Sequence, residues 1–365
     1  MNVSEEYDES EESSVDGIQS AVMPPSDIVT FNEMRSCSDL ARLSEKGVLE
    51  IRPDFQRGVV WSRRDRSLFI DSLMKQLPIP SICISLDAST GRRQVIDGLQ
   101  RLSAIISFIN YTSDDWVLVD TKEIDPRIAG KRVSEIYKTE PRLAQIVEDT
   151  ILPINVVRCD STKKSHREYL FQIFSRLNSG GKRLRYQEIR NCVYQGQFNT
   201  FLKAYVRTQV WKDFADVDDA KIEADRFSHE ERVLRFFAFM NCWEKYSSGL
   251  AGFLNEYMDE NKDISELRLQ EMKEMLDKAI SHVMSIEGKK ATRKNWNLIE
   301  DVLIGIGKNI HHIETLTADA ITSRYQWLVE QPAYGVEMKE GVLGATKVKT
   351  RIKLAIKAFS NEPLV

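Results

Sequence analysis

Three short stretches of this chain hold residue types suited to binding or working on a phosphate. The first is residues 94–106, where Val95 and Ile96 form a β-branched run that ends in a turn-like Asp97 and Gly98. Leu102, Ile105, Ile106 and Ile109 then recur at helical spacing, so the stretch reads as a buried strand running into a helix. Polar residues at such a join lie where backbone N–H groups are unpaired and the helix dipole is positive. Asp97, Gln100 and Arg101 therefore sit where a phosphate would bind. The same residues also fit a capping box, with Asp97 as N-cap and Gln100 at N3. This stretch alone leaves both readings open.

The second stretch, residues 51–61, has Pro and Gly punctuation and the recognition-type side chains Arg52, Gln56, Arg57 and Trp61. The third ends a helix that starts near Ser165 and turns Leu170, Ile173, Phe174 and Leu177 inward. Arg176 and Asn178 lie at its end, and Gly180 and Gly181 terminate it. Lys182, Arg183, Arg185, Glu188 and Arg190 follow. A Gly-terminated helix with an exposed basic turn is the plainer account of that third cluster.

Positioning these residues requires a small sheet and its helices. The pattern predicts a strand near Ile28, a helix over about Cys37 to Lys46, and a helix capped by Ser62 with Asp65 at N3. That last helix buries Phe69, Ile70, Leu73, Met74 and Leu77 and stops at Pro78 and Pro80. Arg63, Arg64 and Arg66 crowd its first turn, where cations oppose the dipole unless an anion or carboxylate meets them. Strands follow at 81–86 and 93–96 around a turn at Asp87 to Gly91, a further hairpin at about Trp116 to Val119, and a strand at 151–157. Beyond about 186 the pattern is continuously helical, with Ser228 and Glu231 as a capping box. Helices are expected near 250–259, 265–287, 295–311, 317–330 and 346–359. Met272, Met275, Leu276, Ala279 and Val283 read as core, and Lys347, Lys349, Arg351, Lys353 and Lys357 as a solvated face or a nucleic-acid contact. The fold class that results is α+β, a domain with a small mixed sheet followed by an all-α helical domain.

At 365 residues the chain is long enough for two domains. Its net charge of −4 is uneven, because Glu5, Glu6, Asp8, Glu9, Glu11, Glu12 and Asp16 crowd the first sixteen residues. Subtracting those seven negative charges leaves the remainder at +3, so the overall acidity argues little against a nucleic-acid partner. Residues 1–25, acidic and Ser-rich up to Pro24 and Pro25, are expected to be a disordered tail. Five scattered cysteines in no ligand spacing suggest reduced thiols, and no Cys/His metal site emerges. No run reaches the length of a membrane span and no signal-peptide pattern opens the chain, so a cytoplasmic location without a membrane partner is expected. No Walker A loop, dinucleotide fingerprint, nucleophile elbow or kinase set occurs.

Four segments taken in order resemble a known family. They are Phe55 to Trp61, the Leu73 to Pro80 helix exit, Val95 to Arg101, and the run from Phe174 through Arg176, Asn178, Gly180 and Gly181 to Glu188 and Asn191. Together they look like the N-terminal domain of GmrSD-type restriction endonucleases, a branch of the ParB/sulfiredoxin-like fold. The resemblance covers about residues 28–195, and the chain is expected to divide into a nucleotide-binding domain at 26–185 and a helical domain at 186–365. It implies a component of prokaryotic antiviral defence that binds and hydrolyses a nucleoside triphosphate (GTP, ATP or CTP), engages DNA, and works with a separate nuclease subunit. A non-catalytic DNA-binding or regulatory protein and a direct nuclease are the alternatives. The family signature Asp-Gly-Gln-Gln-Arg matches Asp97, Gly98, Gln100 and Arg101, with Leu99 in place of the first Gln. By the same resemblance Asp97, Gln100 and Arg101 would be catalytic. Arg57 and Arg101 would hold phosphate oxygens. Asp97 would bind Mg²⁺ or orient a water that Gln100 positions. Gln56, Gly98, Arg176, Asn178, Gly180 and Gly181 would complete the phosphate site, with Glu188 and Arg190 as further candidates or instead as a structural ion pair.

Overall fold

The computed structural model describes residues 23–51, 61–177, 184–247, 249–287, 295–335 and 344–364. The chain divides into two compact units, residues 23–184 and a helical unit from residue 185 onward. Gln56, Arg57, Asn178, Gly180 and Gly181, together with the acidic tail, lie outside the described residues.

The first unit is built on a five-stranded mixed sheet in the order β1-β5-β3-β4-β2. Its strands are β1 (Val29–Ser36), β2 (Leu49–Glu50), β3 (Ile82–Asp87), β4 (Arg93–Asp97) and β5 (Ile151–Cys159). β3 and β5 run parallel, β4 runs antiparallel to β3, and β1 antiparallel to β5. Strand alternation sorts the side chains by face. Ile82, Ile84, Val95, Leu152, Ile154 and Val156 point into one core. That core is closed by α1 (Cys37–Glu45), α2 (Arg63–Met74), α3 (Leu99–Ile109), α4 (Val133–Thr139) and α5 (Pro141–Asp149), which pack on one another. α6 (Lys164–Leu177) leaves β5 through the turn at Asp160 and packs against β4.

The strand, turn, strand, helix order from 82 to 109 agrees with the sequence expectation, as does the Ser62–Asp65 capping box on α2. The expected hairpin at Trp116 to Val119 is a single isolated bridge between Val117 and Arg132. Two short helices, α4 and α5, follow that bridge before β5 begins.

In the second unit every described element is helical. It comprises α7 (Tyr186–Val193), α8 (Gln197–Tyr205), α9 (Gln209–Ala215), α10 (Asp219–Ala224), α11 (Ser228–Cys242), α12 (Leu250–Asn261), α13 (Glu266–Glu287), α14 (Trp296–Lys308), α15 (Ile310–Ile313), α16 (Ala318–Val329) and α17 (Ala345–Phe359). Met272, Leu276, Ala279 and Val283 are buried as core, and α14 packs on α11, α13 and α17. The capping box expected at Ser228 is absent, because Phe227 in a left-handed conformation is the N-cap and makes no side-chain bond.

This core also holds charges. Arg235 donates to both carboxylate oxygens of Glu300 at 2.8 Å, and Arg351 Nε lies 2.9 Å from Asp301. Buried charges persist only when paired and hydrogen-bonded. Removing one partner of such a pair would leave the other stranded.

Candidate functional site

β4 and α3 meet at Asp97 and Gly98, and the join departs from regular geometry in two ways. The β3–β4 register shifts between Ile84↔Val95 and Cys83↔Asp97, so Ile96 and Asp97 together oppose Cys83. A bulge of this kind bends the strand end and re-aims the side chain that follows. Gly98 then adopts φ +89° as the N-cap of α3. A Cβ at Gly98 would stand 2.9 Å from Ile82 Cγ1 and 3.0 Å from Arg101 Nη2. Both the backbone angle and the lack of space therefore require glycine.

This geometry corrects the capping-box expectation. Gly98, not Asp97, is the N-cap, and no side chain caps α3. Asp97 Oδ2 accepts a hydrogen bond from Arg101 Nη2 at 2.9 Å. Gln100 Oε1 accepts the backbone N–H of Trp61 at 2.9 Å, tying the residue that ends the 52–60 stretch to the first turn of α3. Trp61 in turn packs edge-on against Phe69 of α2, with ring centres 5.2 Å apart. Arg101 Nη1 also donates to the Pro80 carbonyl. The Arg101 side chain is 14% exposed and that of Asp97 39%, so the guanidinium is fixed while the carboxylate faces solvent. Leu99 packs against the apolar core instead of taking a polar role.

Two of the three arginines of the first turn of α2 have carboxylate partners nearby. Arg64 pairs with Glu123. Arg66 lies 3.9 Å from Asp114, with its guanidinium 4.7 Å from the Trp116 ring centre. Carboxylates thus meet two of the three cations that oppose the dipole.

Arg176 is exposed in the last turn of α6, the helix that packs on β4. Glu188 and Arg190 belong to the helical unit. Glu188 is fully buried and accepts hydrogen bonds from Arg226 Nε at 3.1 Å and Nη2 at 2.5 Å; burial pushes its carboxyl up against the pull of Arg226. Arg190, equally buried, pairs with Glu231 at 3.0 Å and Asn255 at 2.9 Å. Each is thus engaged in a core ion pair of its own unit. The two do not pair with each other in any described bond.

Sequence reasoning missed the Pro80 carbonyl and Ile82, which fix Arg101 and shape the space over Gly98. A backbone acceptor and a contact distance leave no mark in residue types. Cys83, which faces Asp97 across the strands, is held in its thiol form: burial pushes it up to about 11, and Asp97 adds to the shift. All five cysteines are free, four of them buried, as the spacing had suggested. Among the described residues no group of three His, Cys, Asp or Glu side chains could hold a metal ion, and no helix is long and apolar enough to cross a membrane.

Residues 38–195 match the family model described as GmrSD restriction endonuclease, N-terminal domain. This segment is a GmrSD-type N-terminal domain. The GmrSD-type segment contains the whole β4–α3 join and both flanking motifs, and it runs past residue 184 into α7. No curated protein and no solved structure matches the chain.

Proposed function

We propose that this protein is the nucleoside-triphosphate-binding and hydrolysing, DNA-engaging component of a restriction-like prokaryotic defence system, working with a separate nuclease. The observation that carries the nucleotide part is the helix N-terminus of α3, which has no side-chain cap and opens behind Gly98 between Asp97 and the fixed Arg101. Backbone N–H groups at such a terminus and a held guanidinium both favour a phosphate oxygen. Arg101 would hold a phosphate, and Gln56 and Arg57 would add contacts to the same phosphates. Arg176, Asn178, Gly180 and Gly181 would form the opposite wall, since α6 runs back from the Asp160 turn along β4.

The residues fit Mg²⁺ only in one form. Asp97 offers a single solvent-facing carboxylate, which suits a cation that arrives on the nucleotide and is otherwise held by phosphate oxygens and water. Bound there, Mg²⁺ would neutralise phosphate charge. Asp97 would also orient the attacking water, with Gln100 as its second polar neighbour. A ParB/sulfiredoxin-like fold is part of this proposal, and the mixed β1-β5-β3-β4-β2 sheet leading into α3 supports it.

A second reading, a ligand pocket without turnover, is favoured by Leu99, whose side chain lies against the core where the family signature has Gln. Direct nuclease chemistry is a third reading, which the match to a restriction-endonuclease domain supports. Calorimetric titration with GTP, ATP and CTP in Mg²⁺ buffer, paired with a phosphate-release assay, separates the first two. Binding with release supports the first and binding without release the second. No binding of any nucleotide removes both.

A further inference from the structure

α17 carries Lys347, Lys349, Arg351, Lys353 and Lys357 and no acidic residue, in a chain of formal charge −4. The structure sorts these cations. Arg351 turns inward to Asp301, beside the buried Val348, Ile352, Ala355 and Phe359. Gly305 of α14 permits the close approach of this inner face, since a Cβ there would stand 2.5 Å from the Ala355 carbonyl oxygen. The lysines remain on the outer half, Lys347 and Lys353 exposed and Lys349 and Lys357 half-buried.

Two of them lie over aromatic rings. The Lys353 ammonium is 5.8 Å from the Trp243 ring centre and that of Lys357 is 5.6 Å from Trp327. Lys349 donates to the Glu244 carbonyl at 2.8 Å. Solvated lysines ordinarily sample many rotamers, whereas stems laid along rings have given up part of that freedom before any anion arrives. The first turn adds to the pattern. Gly344 supplies no side-chain cap, and Lys347 stands where a cation opposes the helix dipole. A phosphate there would meet the positive end of the helix and the charge of the lysine together. From Lys347 to Lys357 the helix rises about 15 Å, comparable with about four phosphates along one strand of a duplex at 3.4 Å each.

We infer that the outer face of α17, with Trp243 and Trp327, contacts the backbone of duplex DNA without reading its sequence. This rests on the DNA-engaging part of the reading above and places that contact on the helical unit.

Binding of a fluorescent mixed-sequence duplex to the full chain, followed by anisotropy across a salt series, tests it. Wild-type binding should weaken steeply with salt. The Lys353→Gln/Lys357→Gln variant should lower the slope of log K against log[salt] by about 1.8, at 0.9 per phosphate contact. Lys353→Arg/Lys357→Arg should keep the wild-type slope, as should Lys122→Gln/Lys138→Gln, which removes equal charge from exposed sites of the other unit. Thermal midpoints near wild type confirm that each variant is folded. A wild-type slope in Lys353→Gln/Lys357→Gln overturns the inference while leaving DNA engagement intact. Tighter binding of a single strand, lost on Trp327→Ala, replaces the duplex with a stacking site and also overturns it. If wild type binds no DNA, the inference and the DNA reading fall together, and the nucleotide titration is read separately.

Discussion

The two units use the same charged residue types in opposite ways. At the β4–α3 join Asp97 and Arg101 pair at a rim, with the carboxylate turned to solvent beside an uncapped helix end. In the helical unit Glu188 with Arg226, Arg190 with Glu231, Arg235 with Glu300 and Asp301 with Arg351 are closed within the core. A rim pair adds little to stability and leaves an oxygen for a ligand, whereas a core pair leaves nothing to bind and is costly to break. Ion pairing alone therefore does not mark a functional residue. What separates the two is burial: at the bulged, left-handed join the carboxylate is turned to solvent, whereas each pair of the helical unit has at least one member enclosed in the core.

Breaking a core pair should have the largest effect. Glu300→Ala strands a buried Arg235, and denaturant unfolding should show a loss of about 3–5 kcal/mol. A loss below about 1 kcal/mol would erase the contrast between core and rim. Glu230 comes next. Burial pushes its carboxyl from an ordinary 4.5 up to about 7, and its Oε2 is buried without a hydrogen-bond partner among the described residues. Below about pH 4.5 the group is protonated whether folded or unfolded, so its contribution is fully present there. As pH rises through about 7 the folded state must ionise it, and that stability is lost. Glu230→Gln should therefore gain up to about 3 kcal/mol over wild type at pH 8 and almost nothing at pH 4, by unfolding curves at the two pH values. Gly98→Ala should cost about 1–3 kcal/mol, through the left-handed angle and the crowding of Ile82 and Arg101. Its nucleotide affinity should fall at least about tenfold as Arg101 is displaced, equivalent to about 1.4 kcal/mol. Asp97→Ala should be the mildest for the fold, within about 1 kcal/mol of wild type.

The sequence revealed some of this contrast and concealed the rest. The Ser62–Asp65 box, the turn at Asp87 to Gly91 and the apolar period of α3 are local, and each stands in the structure. The inward turn of Arg351 depends on Asp301, fifty residues earlier, and nothing in the basic run of α17 announces it. Asp97 and Gln100 carry capping-box spacing, yet Gly98 takes the N-cap because the bulge and the left-handed turn shift the helix start by one residue. Ser228 and Glu231 misled in the same way, since the left-handed Phe227 precedes that helix. Short polar patterns report which bonds are available. Backbone conformation decides which of them form.

Thermal unfolding with and without nucleotide and Mg²⁺, run on wild type and Asp97→Ala, tests the central claim most directly. A ligand that binds only the folded state at a hundred times its Kd stabilises by about 2.7 kcal/mol, a shift readable as a rise in Tm. The account predicts that rise in wild type and its loss in Asp97→Ala, whose Tm without ligand stays close to wild type. An equal rise in both proteins would show that Asp97 takes no part in nucleotide binding, and a collapse of Asp97→Ala without ligand would show that it is a structural residue like those of the helical core.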